Sequence, residues 1–379
     1  MKTTWLKYAA FGLAAVVLGA ACETEEGGTD FNYYVYATLS GSGKVAAFSM
    51  RSSSGRLNEV TGSPYAAGAA PQGLAAVTVA TSEVDVLGHY LYAANYFSDG
   101  LSAYTIDPLT GALTAVAGSP YAAGLGPYAV AVEPGGKFAY VANADGGNVW
   151  PYGIDPDTGA LSPFGSLAAA AGLHPSSVAI DPTGKFAYAA SEYSGQVSAY
   201  AINAGSGELA AVAGSPFATG GYPGSVAIDP TGKFLYAANT TTRNVTAFTI
   251  DAATGALSVV AGSPYPAGND AAAVAVDPSG QFVYVVNTDA SNVSGYKINQ
   301  DTGALSAVTG SPFNTGAAPV AVAVDPSGRY LFVANYWTDD ISGFTIDSAT
   351  GALTEMSGSP FELAIDSHPS SIVAIRIAK

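Results

Sequence analysis

The ten residues from Gly111 to Pro120, GALTAVAGSP, return as GELAAVAGSP from Gly207, GALSVVAGSP from Gly255, GALSAVTGSP from Gly303 and GALTEMSGSP from Gly351. Degenerate copies, GRLNEVTGSP from Gly55 and GALSPFGSL from Gly159, raise the number to seven. From Gly111 onward the leading glycines stand 48 residues apart; only the step from Gly55 is longer, at 56, with the surplus in the divergent stretch Thr81 to Leu87. A fixed period of this size marks an array of small units, none able to bury a hydrophobic face alone.

One unit, taken from Tyr222, divides into four β-rich runs: Gly224 to Asp229, Lys233 to Asn239, Asn244 to Ile250 and Gly255 to Ala261. Turn signals split them, and none has helical periodicity, so each unit is expected to be a four-stranded antiparallel meander. The first run of each unit alternates a branched residue with alanine, as at Val130 to Val132, Val178 to Ile180, Val226 to Ile228, Val274 to Val276 and Val322 to Val324. Apolar residues on both faces imply a sheet covered on both sides. The large–small alternation suits strands crowded round an axis, each large side chain opposite a small one. The fold class is therefore all-β, a seven-bladed propeller.

Innermost strands are expected near Gly73, Tyr128, Ser176, Gly224, Ala272, Val320 and Ser370. The last, Ser370 to Ile377, has no strands after it, and the first unit, opening at Tyr33, has no innermost strand before it. The two termini should therefore complete one blade between them and leave no free sheet edge. The propeller is assigned to residues 32–379.

The segment Tyr140-Val141-Ala142-Asn143, with Tyr92 to Asn95, Tyr236 to Asn239, Tyr284 to Asn287 and Phe332 to Asn335, resembles the YVTN repeat and the wider lactonase-type seven-bladed propeller family, which includes relatives of 6-phosphogluconolactonase. That resemblance covers residues 31–379 and implies the fold; function does not follow from fold alone. Ser191-Glu192-Tyr193 resembles the family's Asn-Glu-Leu element. The likeness implies Glu192 as a general base on water attacking a lactone carbonyl, with His174 or Arg243 supporting the oxyanion. Where lactonase relatives place Arg-His after the proline opening an innermost strand, this chain has Pro175-Ser176-Ser177, Pro223-Gly224-Ser225 and Pro369-Ser370-Ser371.

Ahead of the repeats, Lys2 and Lys7 precede an apolar run from Tyr8 to Ala21 and the only cysteine, Cys22. The run is too short to span a bilayer comfortably and resembles a bacterial lipoprotein signal. Residues 1–22 are expected to be that signal, with Cys22 lipidated, and residues 23–31 a polar tether. The protein is then expected to be exported and anchored in the cell envelope through lipid alone. One cysteine excludes an intramolecular disulfide.

The chain has 379 residues, 49% of them hydrophobic and 11% charged, with a formal net charge of −16. Much of the acidity is turn chemistry. Asp181, Asp229, Asp277 and Asp325 each open an Asp-Pro-x-Gly turn, and Asp107, Asp155, Asp251 and Asp347 each precede a Thr-Gly. Aspartate accepts backbone N–H groups at such positions, and glycine takes positive φ. No basic stripe exists to neutralise phosphates, so nucleic acid is excluded as a partner. Neither a zinc spacing nor a calcium loop is present, and neither metal nor cofactor is expected.

The two kinds of aspartate turn should share one face of the disc. The opposite face gathers loops that differ in every copy, which marks it as the binding face. Tyr96, Phe97, Tyr336 and Trp337 are expected to form an aromatic ledge there, with Tyr128, Tyr193, Tyr222 and His368 as further binding candidates. These features and the missing Arg-His favour a monomeric, non-enzymatic module presenting variable loops to a glycan, peptide or protein. The alternative is a lactone hydrolase centred on Glu192.

Overall fold

Residues 31–82, 85–163 and 168–378 are described by the computed structural model. The signal segment, Cys22 and nearly all of the tether lie outside the described residues, as do Glu83 and Val84 of the divergent stretch.

Seven antiparallel sheets form the molecule, each ordered inner, second, third and outer strand. The inner strands are Pro71–Ser82, Pro127–Val132, Pro175–Ile180, Pro223–Ile228, Ala271–Val276, Pro319–Val324 and Pro369–Ala378. They open blades 1 to 7 in that order. Each starts within two residues of its expected position. Consecutive inner strands lie side by side, Pro369–Ala378 against Pro71–Ser82 included, so the array closes into a ring. Blade 7 is the composite: Pro369–Ala378 pairs antiparallel with Phe31–Leu39, the amino-terminal strand, which begins one residue before the expected boundary.

The outer strand is split in two. In blade 4, Leu257–Val259 and Tyr265–Pro266 both pair with the third strand, Asn244–Ile250. At the gap, the Ala247 N–H donates to Ser263 Oγ at 2.9 Å, and serines 63, 119, 215, 311 and 359 do the same in five other blades. A ladder N–H left bare in this buried position would be costly. The Gly-Ser-Pro of the repeat thus closes the hole that its own strand break opens.

The hydrophobic core is distributed between blades. Val130 and Val132 pack toward blade 1, while Ala129 and Ala131 face Val178 and Ile180 of blade 3. Val226 and Ile228 likewise meet Ala179, and Val274 and Val276 meet Ala227. At these interfaces the large residues of one inner strand sit on alanines of the one before, while at the closing interface Val373 and Ile375 meet Leu74 and Ala76, and the wedges converge without overpacking.

Polar latches accompany this packing. The buried hydroxyl of Tyr140 donates to the Gly207 carbonyl of the next blade at 3.0 Å. Tyr36, Tyr92, Tyr188, Tyr236 and Tyr284 bond Gly111, Gly159, Gly255, Gly303 and Gly351 in the same way, at 2.9–3.1 Å. The seventh position is Phe332, which has no hydroxyl; there Tyr330 Oη and Arg329 Nη2 donate instead to the Ser52 carbonyl, at 3.0 and 2.8 Å.

The aspartate turns gather on one face. Asp229 Oδ1 accepts the N–H groups of Lys233 and Phe234 at 2.7 and 2.6 Å, and Oδ2 accepts that of Thr231 at 3.0 Å. Burial pushes the Asp277 and Asp325 carboxyls above the ordinary aspartate range despite similar bonds. In the exposed turns, backbone N–H groups hold Asp251 and Asp347 below it.

Candidate active site at the channel mouth

The opposite face is built on one repeated hydrogen bond. The residue just before each inner strand offers its carbonyl to the N–H of the residue just after the second strand. His174 thereby holds Glu192 at 3.0 Å, Tyr222 holds Thr240 at 2.8 Å, Asp270 holds Thr288 at 2.8 Å, and Ala318 holds Tyr336 at 2.9 Å. His368 holds Ser40, Ala70 holds Tyr96 and Gly126 holds Ala144 likewise. Seven residue pairs thus ring the channel mouth, with side chains set blade by blade. Six of the seven pre-strand residues have positive φ, among them His174 at 55°, Asp270 at 57° and His368 at 48°. A left-handed backbone costs a side-chain-bearing residue about 1 kcal/mol. Only blade 2 uses glycine there.

His174 and Glu192 are thus neighbours by construction. His174 Nδ1 lies 3.2 Å from Glu192 Oε2 and is buried without a hydrogen-bond partner. The imidazole stacks on Tyr193, with centroids 4.6 Å apart, and tilts against Tyr128 at 5.5 Å. Tyr128 meets Tyr96 edge-on, Tyr96 meets Phe97, and Tyr193 meets Tyr222. Six rings therefore run in unbroken contact from Phe97 in blade 1 to Tyr222 in blade 4. Tyr96 Oη donates to Asp145 Oδ1 at 3.0 Å.

A second group stands across the mouth. Tyr336 stacks on His368 at 4.6 Å, Trp337 meets both edge-on, and Asp339 Oδ1 accepts the His368 N–H at 2.6 Å. Tyr96 and Phe97 make no ring contact with Tyr336 or Trp337, so the aromatic ledge is two clusters. Arg243 occupies the left-handed position at the outer end of its loop, its carbonyl accepting from Ala267 at 2.9 Å. No ion pair joins it to Glu192. His89 lies far off in the second strand of blade 1, where Nδ1 meets Thr78 Oγ1 at 2.8 Å.

Two carboxylates escaped the sequence-based candidates. Asp270 occupies in blade 5 the place of His174 in blade 3, and burial, then the charges of Asp289 and Glu192, raise its carboxyl above the ordinary range. Asp145 partners Tyr96. Superposing the seven copies position by position would have exposed both. Among the described residues no three His, Cys, Asp or Glu side chains are grouped as metal ligands would be.

The family model described as Lactonase, 7-bladed beta-propeller matches residues 30–172, 166–265 and 259–362, nearly the whole ring. The chain belongs to this family. No curated protein matches it. Among solved structures, a Bacteroides uniformis protein provisionally named a 6-phosphogluconolactonase is 20% identical, with TM-score 0.76 over 91% of this chain and 100% of that one. A Bacteroides fragilis protein of the same provisional name is 24% identical, with TM-score 0.75 over 92% of this chain and 99% of that one. The periplasmic gluconolactonase of Pseudomonas aeruginosa is 18% identical, with TM-score 0.70 over 91% and 98%. At such identities the likeness shows the fold.

Family membership corrects the expectation of a non-enzymatic binding module. That expectation leaned on the missing Arg-His and on the net charge of −16. Both features bear on whether a phosphate is welcome, and neither bears on whether water can be activated at Glu192.

Proposed function

We propose that this propeller hydrolyses an uncharged sugar lactone at the channel mouth beside His174 and Glu192. The observation that carries the reading is this pair, set 3.2 Å apart on the face where the repeats diverge, in a lactonase-family chain. Water attacks the lactone carbonyl carbon while the Glu192 carboxylate takes its proton. The tetrahedral intermediate then collapses, the ring C–O bond breaks, and the proton passes to the departing alkoxide, leaving a hydroxy acid. His174, held between Tyr128 and Tyr193, lies against one side of the carboxylate.

The preference for an uncharged substrate follows from the field. Glu192, Asp270, Asp289 and Asp145 stand on this face of a chain whose net charge is −16, so a phosphorylated lactone approaches against repulsion. The test compares glucono-δ-lactone with its 6-phosphate for the intact protein and Glu192→Gln. The neutral lactone should be turned over faster, and the variant should lose at least about 100-fold in kcat. Equal turnover by both proteins would overturn the reading.

A further inference from the structure

We infer that the Tyr128 hydroxyl is the hydrogen-bond donor that polarises the lactone carbonyl; this rests on the hydrolase reading above. Every inner strand carries a bulge at its second residue, where register with the second strand shifts. The bulged residues are Gln72, Tyr128, Ser176, Gly224, Ala272, Val320 and Ser370. A bulge takes its residue out of the ladder and re-aims the side chain. Here it leans toward the start of the next blade: Ser176 Oγ donates to the Pro223 carbonyl at 3.1 Å, and Ser370 Oγ to that of Pro71 at 2.6 Å. In blade 4 there is no room even for a Cβ, because one built on Gly224 would stand 2.7 Å from the Ala272 carbonyl oxygen.

Tyr128 breaks this pattern. It is the only aromatic residue among the seven, and its ring lies against His174. The frame closes six times without such a ring, so the fold does not require one. Its hydroxyl has no hydrogen-bond partner among the described residues, whereas the strand tyrosines at the blade interfaces are latched. Charged and phenolic groups from three other blades surround it: Glu192 and Tyr193 from blade 3, Tyr96 from blade 1 and Tyr336 from blade 6, across the ring. Burial first, and then these groups, push the phenol up to about 12, so it stays a donor at any working pH. An unengaged, protonated donor beside the His174–Glu192 pair suits the oxygen on which charge develops as water attacks. Tyr128 keeps its proton throughout, and the hydrogen bond strengthens in the transition state.

The experiment is Tyr128→Phe, which keeps the ring packing on Tyr96 and His174. We expect kcat to fall about 100-fold with KM within about threefold and the melting temperature unmoved, since the bond does most of its stabilising in the transition state. A purely structural role predicts a lower melting temperature with kcat per folded molecule intact, and that result overturns the assignment, as does wild-type kcat. If the intact protein turns over lactone, Glu192→Gln abolishes it and Tyr128→Phe does not reduce it, only the tyrosine's role falls. If the intact protein turns over no lactone, both inferences fall together.

Discussion

The two faces of the disc are made by the same repeats and differ in what the repeats hold constant. On one face, Asp181, Asp229, Asp277 and Asp325 lie within hairpin turns of a single design, each carboxylate saturated by backbone N–H groups. On the other, the hydrogen bond that closes each loop is constant, but the side chains it carries run from Ala144 and Ser40 to Glu192 and Tyr336. Stability is therefore concentrated in the uniform face and the blade interfaces. The varied face is free to hold the half-buried Asp270 carboxyl, the unpaired Nδ1 of His174 and left-handed histidines.

Three experiments press on that contrast. The largest effect should come from removing Ser370–Lys379, which strips blade 7 of its inner strand, leaves Phe31–Leu39 unpaired along one edge and takes away the inner strand beside Pro71–Ser82. Calorimetry should show loss of the cooperative unfolding transition; a normal melt would refute the ring as the unit of stability. Next, Asp229→Ala on the uniform face leaves three backbone N–H groups without their acceptor and should cost about 3 kcal/mol in a denaturant titration. Lactone turnover per folded molecule should not change, and a selective loss of kcat would break the division between faces.

The smallest effect concerns acid. Burial pushes the His89 imidazole down to about 4 from 6.5. The folded protein therefore holds this residue neutral, and the unfolded chain takes up its proton first. Stability is whole above pH 6.5 and erodes as the pH falls toward 4. His89→Gln should lessen the loss between pH 7 and pH 4.5 by about 2 kcal/mol, read from urea midpoints. An unchanged slope would mean that the imidazole is solvated.

Nearly all of the architecture was legible in the sequence because each structural device recurs at a fixed interval. The Val-Ala-Val runs, the Asp-Pro-x-Gly turns and the Gly-Ser-Pro breaks each do the same physical job wherever they recur. The site was legible only in part. His174 and Glu192 stand 18 residues apart, and their meeting depends on a carbonyl bond that the repeat conceals, because it joins backbone atoms. Asp270 was overlooked for the converse reason: without a motif around it, only its position equates it with His174. The aromatic ledge divided in two because the composite blade lies between Trp337 and Phe97, and the serines and threonine it brings there, Ser40, Ser370 and Thr38, carry no ring. Net charge misled the functional expectation, since a global quantity cannot report on one carboxylate.

The second-strand tyrosine latches all run the same way round, donor in one blade and acceptor in its successor, while the third-strand Tyr104, Tyr152, Tyr200 and Tyr296 donate the opposite way, to carbonyls of the preceding blade. The wheel is therefore handed: in six blades the leading side offers a second-strand hydroxyl to a glycine carbonyl on the trailing side of the next blade, and the third-strand hydroxyls that point back meet outer-strand carbonyls. Any fragment shorter than the full circle ends in two dissimilar, mutually complementary flanks. Partial chains should consequently seek one another head to tail, and two separately expressed arcs that add up to seven blades should reconstitute a working whole.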